Sequence, residues 1–497
     1  MKLFDLRRSG AGLSVLSITT LTFSALLTAG CGGHGGTPPI PPPEGNTKVS
    51  VLMSSTANDR LSQYDLYILG LTLTNQSGKT VTLLTAPLTG NSANPSELMH
   101  LNGTAATLVT ATVPDDTYTA ASLMVGGASL TCIAVNMSDG SLTTSTFAYG
   151  QTPQSQVTVN LPSPLTVTGD MMNLSMQLDG AQSYTLDNCV GGSLGDSYSI
   201  TPTFNLTTVD LSAPPTNYLN GKEANVLGQV NATSGDGFSV TLGYNYNAPS
   251  TLPVESVTAN AGTVYQGVSG ISALAKGMFV DMDLAAQPDG SLLATRVAVH
   301  DPSAVDVLAG PVTQVPASVQ AIFTYGQQVE GSDLLGNTMP FDLSQAVFGV
   351  SQFSNLASLP FTPAFAYANL VPGQNVYITT PAATVTGINR YPLASTMTLM
   401  PQTLDGTVIG QDSSGGFNVY TISLASYDLF PALAGQQGSN NLLGLPAQVV
   451  VYADSNTALA GVAEPVIGST YRFHGLVFND GGTLRMDCDQ VAAGVAP

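Results

Sequence analysis

Leu404-Asp405-Gly406-Thr407-Val408, continuing through Ser413-Ser414-Gly415-Gly416-Phe417-Asn418-Val419, is the stretch on which the fold turns. A glycine within an apolar run, then a Gly-Gly turn between two strand-like segments, reads as a β-hairpin. The same phrase stands earlier as Val226-Leu227-Gly228-Gln229-Val230 and Ser234-Gly235-Asp236-Gly237-Phe238-Ser239-Val240. Another version, Val307-Leu308-Ala309-Gly310-Pro311-Val312, keeps the leading glycine and lacks the Gly-Phe turn. Each unit then reaches a second glycine ahead of a strand: Lys276-Gly277-Met278-Phe279-Val280, Pro372-Gly373-Gln374-Asn375-Val376 and Ile467-Gly468-Ser469-Thr470-Tyr471. The outer two units close on Asp289-Gly290-Ser291-Leu292 and Asp480-Gly481-Gly482-Thr483-Leu484, and Asp-Gly pairs suit tight β connections. The spacing of the paired glycines is unequal between units, which predicts separate small barrels with variable loops, not a strict stacked array. Their expected bounds are 220–303, 304–403 and 404–497.

Upstream, period-two alternation continues. Leu71-Thr72-Leu73-Thr74 and Thr80-Val81-Thr82-Leu83 flank a Gly-bearing turn, and further strands are predicted at Val49–Met53, Ala106–Val113, Thr119–Val125, Gln156–Leu161, Met172–Leu178 and Tyr198–Leu206. Their simplest closure is an antiparallel β-sandwich over 47–209, joined to the repeats through Ser212-Ala213-Pro214-Pro215-Thr216. The whole chain is therefore expected to be all-β, a sandwich followed by about three small barrel-like modules.

The three units resemble the small repeated β-barrel domain of unknown function found in tandem in bacterial exported proteins. Its pattern is a leading Gly-x-Val strand, a central Leu-x-x-Gly-x-x-Val and a closing hairpin, and the resemblance covers about 220–495. It implies a barrel fold and no reaction. The stretch Val49 to Val125, with Pro114-Asp115-Asp116-Thr117-Tyr118 before a strand, resembles an uncharacterised N-terminal domain of bacterial lipoproteins.

The amino terminus carries an address. Lys2, Arg7 and Arg8 precede an apolar run from Leu13 to Leu27, the layout of a secretion signal over 1–30. The run is shorter than the roughly 20 apolar residues of a spanning helix. Leu27-Thr28-Ala29-Gly30-Cys31 resembles the lipobox of bacterial lipoproteins, which implies cleavage before Cys31 and its acylation as a membrane anchor. By resemblance to the enteric sorting rule, Gly32 favours the outer membrane. Residues 31–46, a Gly run then Pro38-Pro39-Ile40-Pro41-Pro42-Pro43, read as a lipidated tether whose proline part is stiff.

A formal charge of −20 with 9% charged residues argues against nucleic acid as a partner, since phosphate backbones would be repelled. Of the four cysteines, Cys31 goes to lipid, and export makes a Cys132–Cys189 disulfide the default. Cys488 alternates with Leu484 and Met486 and reads as a small buried residue.

Chemical motifs are sparse. Gly191-Gly192-Ser193-Leu194-Gly195 has the G-x-S-x-G form of a nucleophile elbow, but a strand follows it where that motif needs a helix, so it reads as a loop. His34, His100, His300 and His474 never stand at paired ligand spacing, so no zinc, haem or other cofactor is expected. Asp281 and Asp283 alternate with Val280, Met282 and Leu284, which predicts a solvated strand face; the weak candidates for a cation are Asp115 and Asp116. Tyr244-Asn245-Tyr246-Asn247 offers rings and amides suited to a sugar, although Trp is absent. The expectation is a non-enzymatic, lipid-anchored envelope protein with a structural or adhesive role, reaching the membrane through Cys31. The alternative is a binding module for an extracellular glycan or a cation, using Tyr244 and Tyr246.

Overall fold

Three glycines set the frame of the repeated half. In the computed structural model, Gly277, Gly373 and Gly468 hold φ of +90°, +95° and +88°, a left-handed backbone that favours glycine. Each donates its N–H to a valine carbonyl on the first strand of its unit, Val230, Val312 and Val408, at 2.8, 2.7 and 2.8 Å. The same valines donate to the carbonyl of the residue after the glycine, at 2.9, 2.8 and 3.0 Å. The repeat read from sequence is thus a repeat of backbone geometry. The structure describes residues 45–56, 61–85, 95–135, 142–149, 155–186, 198–242, 254–326, 328–330, 338–351, 356–381, 391–425, 428–434 and 448–494.

The last unit is a closed five-stranded barrel: Gln402–Ser414 pairs with Phe417–Leu424, that with Gln448–Ala460, that in parallel with Thr483–Ala493, and that with Thr470–Asp480, which returns to the first strand. Numbered along the chain, the ring runs first, second, third, fifth, fourth. The first unit closes the same ring with Lys222–Ser234, Gly237–Leu242, Val254–Thr258, Leu292–Ala298 and Phe279–Ala286, and a short strand, Val264–Gln266, extends the parallel contact. In the middle unit, strands Asp306–Gln314, Ala321–Tyr325, Asn375–Thr380 and Thr396–Leu399 keep their places. The third strand is broken into Thr338–Asp342 and Val347–Val350, and a parallel bridge from Asp342 to Leu393 helps close the ring. A five-stranded Greek-key barrel of this order is the OB-fold arrangement. The leading glycine is dictated by close approach: a Cβ on Gly228 would stand 2.5 Å from Val240, and one on Gly406 2.9 Å from Ile422.

Among the described residues the N-terminal module holds a sheet of eleven strands, curled over one core that includes Val49, Val51, Leu71, Leu123, Leu174 and Phe204, and a separate two-stranded pairing of Tyr184–Leu186 with Tyr198–Ile200. The hairpin at Gln63–Asn75 and Thr80–Thr85 forms as read, its turn held by Asn75, whose Oδ1 accepts from the N–H groups of Ser77 and Lys79. Most pairings are antiparallel, but Asn46–Ser55 runs parallel to Met171–Leu178, and Ser155–Asn160 parallel to Phe204–Val209. Parallel neighbours need long crossovers, which hairpin patterns do not reveal. Tyr118 is buried, and its hydroxyl donates to the Pro114 carbonyl at 2.9 Å, the tyrosine corner of β-sandwiches.

Each module has its own core, yet neighbours reach into one another. Val371, on the loop before Gly373 in the middle unit, packs in the core of the last barrel, with Leu404, Leu424 and Phe430 among that cluster's members. Leu476 and Phe478 of the last barrel belong in turn to the middle unit's core. Leu227 and Phe279 of barrel one meet Val307, Tyr377 and Met400 of barrel two. The described residues form one compact unit.

Candidate functional site

The residues singled out in the sequence fall in different places. Cys31, His34, Cys189, Ser193, Tyr244 and Tyr246 lie outside the described residues. Cys132 is fully buried in the strand Asp116–Val135. Cys488 is a free thiol, buried as expected, and burial pushes it well above the ordinary thiol range. Asp115 and Asp116 serve the fold: Thr47 Oγ1 lies 2.8 Å from the Asp115 carboxylate, and Asn75 donates to Asp116 at 2.7 Å. That amide and the N–H of Thr117 hold the Asp116 carboxyl below its usual range. Among the described residues, no three His, Cys, Asp or Glu side chains gather at metal-binding distance.

The solvated face expected for Asp281 and Asp283 is a correction. Both are buried, and Arg296 on the neighbouring strand bonds Asp281 through both terminal nitrogens at 3.0 Å and Asp283 at 3.1 and 3.2 Å. Burial works against the Arg296 charge, and the two carboxylates more than restore it, holding the guanidinium above its ordinary value. Alternation identified the outward face of the strand correctly, but in this barrel that face looks onto another module. His300, at the exit of barrel one, stands 3.9 Å from Asp281 and packs at a tilt against Tyr377 of barrel two, ring centroids 4.8 Å apart.

Counting from the shared glycine, Asp281, Tyr377 and Arg472 are equivalent, as are Asp283, Thr379 and His474. The first set reaches neighbouring modules at Tyr377 and Arg472, while the second bonds within its own units. Arg472 lies 3.5 Å from Asp405 and donates to the Thr56 carbonyl of the N-terminal module at 2.8 Å. His474 holds Asp489 at 2.6 Å, while Gln490 donates to the Gly103 carbonyl and Thr403 to the Asn102 carbonyl. Barrel one meets the same N-terminal sheet through Glu223, and barrel two through the Tyr325 hydroxyl bonded to Gln63.

All four modules contribute to a central cavity of about 110 Å³, with His100, Asn102, Asn225, Gln402, Thr403 and His474 in its wall. That is room for a few waters and far below the roughly 300 Å³ at which ligand pockets begin. Beside it, Glu97 is fully buried and accepts from the N–H groups of Tyr64, Met99 and His100, and its Oε2 lies 3.0 Å from His100 Nδ1. Asp65 stands directly across the sheet from Glu97. Burial first, then the neighbouring Glu97, push the Asp65 carboxyl up to about 8. Like charges opposite one another in a sheet are unfavourable, which favours the neutral form of Asp65. The second space is a crevice of about 530 Å³ between the N-terminal sheet and barrel one, lined by Lys48, Ser50, Thr110, Glu255, Asp289 and Ser291 among others. Sequence reasoning missed it because its walls come from segments far apart in the chain.

No protein-family model matches the chain, and no curated protein matches it. Among solved structures it is similar to drosophila Unr CSD456, at 12% identity over 57% of this chain and 99% of that one, with a TM-score of 0.14. A likeness of that size carries no argument about fold or activity.

Proposed function

We propose that this is a non-enzymatic envelope protein, anchored by lipid on Cys31 and acting in structural or adhesive contact. The observation that carries the reading is the use made of the barrels' outward positions. Asp281, Tyr377, Arg472 and His474 are spent on internal partners or neighbouring modules, which supports a structural role. The anchor rests on Lys2 to Cys31, and the exported setting supports a disulfide between Cys132 and Cys189. Cys31→Ser should release the protein from membranes; retention of that variant through a carbonate wash would defeat the anchor.

The alternative, a binding module for an extracellular glycan or a cation, is favoured by the crevice, whose hydroxyl and carboxylate lining and volume fit a short saccharide. Thermal unfolding against polysaccharides, Ca²⁺ and chelator separates the two readings. A ligand at 100 times its Kd adds about 2.7 kcal/mol. A selective shift that Asp289→Ala removes supports the binding module, and a flat response across the panel supports the structural role.

A further inference from the structure

The crevice between the N-terminal sheet and barrel one is bordered by open strand edges. Ala105–Pro114 ends the N-terminal sheet and, among the described residues, pairs with Asn46–Ser55 alone. One bond fixes its phase: the Lys48 N–H goes to the Asp170 carbonyl, beside the strand Met171–Leu178 on the far side. Peptide groups alternate in direction along a strand, so Thr112 opposite Lys48 and Thr110 opposite Ser50 turn their N–H and C=O away from the partner strand. Both ends of this edge are blocked. Past the bulge, the Thr107 N–H is taken by Glu223 Oε2 at 2.7 Å, and Pro114, in the outward phase opposite Asn46, has no N–H to offer. The open middle lies at the crevice, whose wall includes Thr110. Barrel one adds part of Val254–Thr258 to that wall. There the Ala259 N–H bonds Asp236, so Val254 and Ser256 turn their peptide groups away from Gly237–Leu242, and Leu292–Ala298 takes up that side at Val257 and Thr258.

We propose that the crevice receives an extended segment of a partner protein, added as a strand to the outer edge of Ala105–Pro114, with a basic side chain set against Glu255 and Asp289. The proposal rests on the adhesive reading above and gives that contact its chemistry. A row of outward N–H and C=O groups recognises a backbone, and an extended peptide satisfies them at every second residue. A residue of added strand occupies roughly 160 Å³, from a strand spacing of about 4.8 Å, a sheet spacing of about 10 Å and a rise of about 3.3 Å. The crevice of about 530 Å³ therefore holds about three such residues, which matches the open stretch from Thr110 to Thr112. Leu84, Leu108, Val109, Val254 and Leu292 give it aliphatic sides for the peptide's side chains. Among the described residues no aromatic ring lines it, so the surface on which a pyranose would stack is missing there. Glu255 and Asp289 outnumber Lys48 in the lining, within a chain of formal charge −20, and a basic side chain complements that excess.

The test uses the mature chain with Cys31→Ser and a displayed library of random heptapeptides. Selected binders should alternate β-branched residues and carry Lys or Arg. N-methylation of alternate backbone amides should weaken them about tenfold or more in one phase and far less in the other, because a single phase faces the ladder. Thr110→Pro removes one outward N–H on an edge strand, where proline is tolerated, and should weaken the same binders about tenfold while the circular dichroism stays unchanged. A library that yields no binder, or binders indifferent to methylation in both phases, overturns the proposal. Methylation-sensitive binding that T110P leaves unchanged places the added strand elsewhere and overturns it too. If T110P does not fold, Asp289→Lys on its exposed turn replaces it. That variant should repel the basic binders, and unchanged affinity again overturns the proposal. A polysaccharide that shifts the thermal midpoint while no peptide is selected assigns the crevice to saccharide instead. Membrane release of the Cys31→Ser chain is scored separately, so failure of the anchored reading would show there and leave the peptide result standing.

Discussion

The loop that ends at Gly373 and the loop that ends at Gly468 share one backbone and meet opposite fates. Both glycines hold the same left-handed conformation and the same pair of hydrogen bonds to the first strand. In the middle unit Val371 is fully buried within the core of the next barrel. In the last unit the equivalent Val466 is 54% exposed and its neighbour Ile467 61% exposed. The corresponding loop of barrel one carries Ala275 and Lys276, both exposed. Geometry is thus fixed by the repeat, while burial is fixed by which module stands next to it. A close reading of one unit gives the fold of all three but not the environment of any one position.

Charge placed at the two valines should separate the loops most widely. Val371→Asp buries an uncompensated carboxylate and should cost about 3–5 kcal/mol in denaturant unfolding. Val466→Asp should stay within about 0.5 kcal/mol, as surface changes do. Similar costs at both positions would break the comparison. A smaller contrast comes from the glycines themselves. Gly468→Ala has open space around its Cβ and should cost only the left-handed penalty, about 1–2 kcal/mol. Gly373→Ala carries the same penalty and adds a Cβ 2.7 Å from the Phe430 ring, so it should cost measurably more. Equal losses would mean that Phe430 yields without cost.

The sequence revealed those elements whose signals are local. The Asn75 to Lys79 turn, the paired glycines and the alternation of Leu484, Met486 and Cys488 each depend on residues a few positions apart, and the structure has them as read. Alternation sorts a strand's residues onto two faces, but it cannot say whether the second face meets water or protein. That is why Asp281 and Asp283 read as solvated. A signal did exist: Arg296 stands among Leu292, Ala294, Val297 and Ala298 in a chain with only 12 basic residues, and a cation in so apolar a strand needs buried carboxylates. Glu223 gave no such signal, because its partner Thr107 lies 116 residues away in the chain. The parallel pairings and the crevice depend on contacts between distant segments, beyond the reach of any local pattern.

The central claim is that equivalent loops are locked or left open by their neighbours alone. Amide exchange at Gly277, Gly373 and Gly468 tests it most directly, since the three N–H groups make the same bond at nearly the same length. The account predicts that Gly373 exchanges only with global unfolding of the chain, while Gly277 and Gly468 exchange faster through local opening. Equal protection at all three would contradict it, because docking of the middle loop into the last barrel would then add nothing to the backbone bond that the repeat itself supplies.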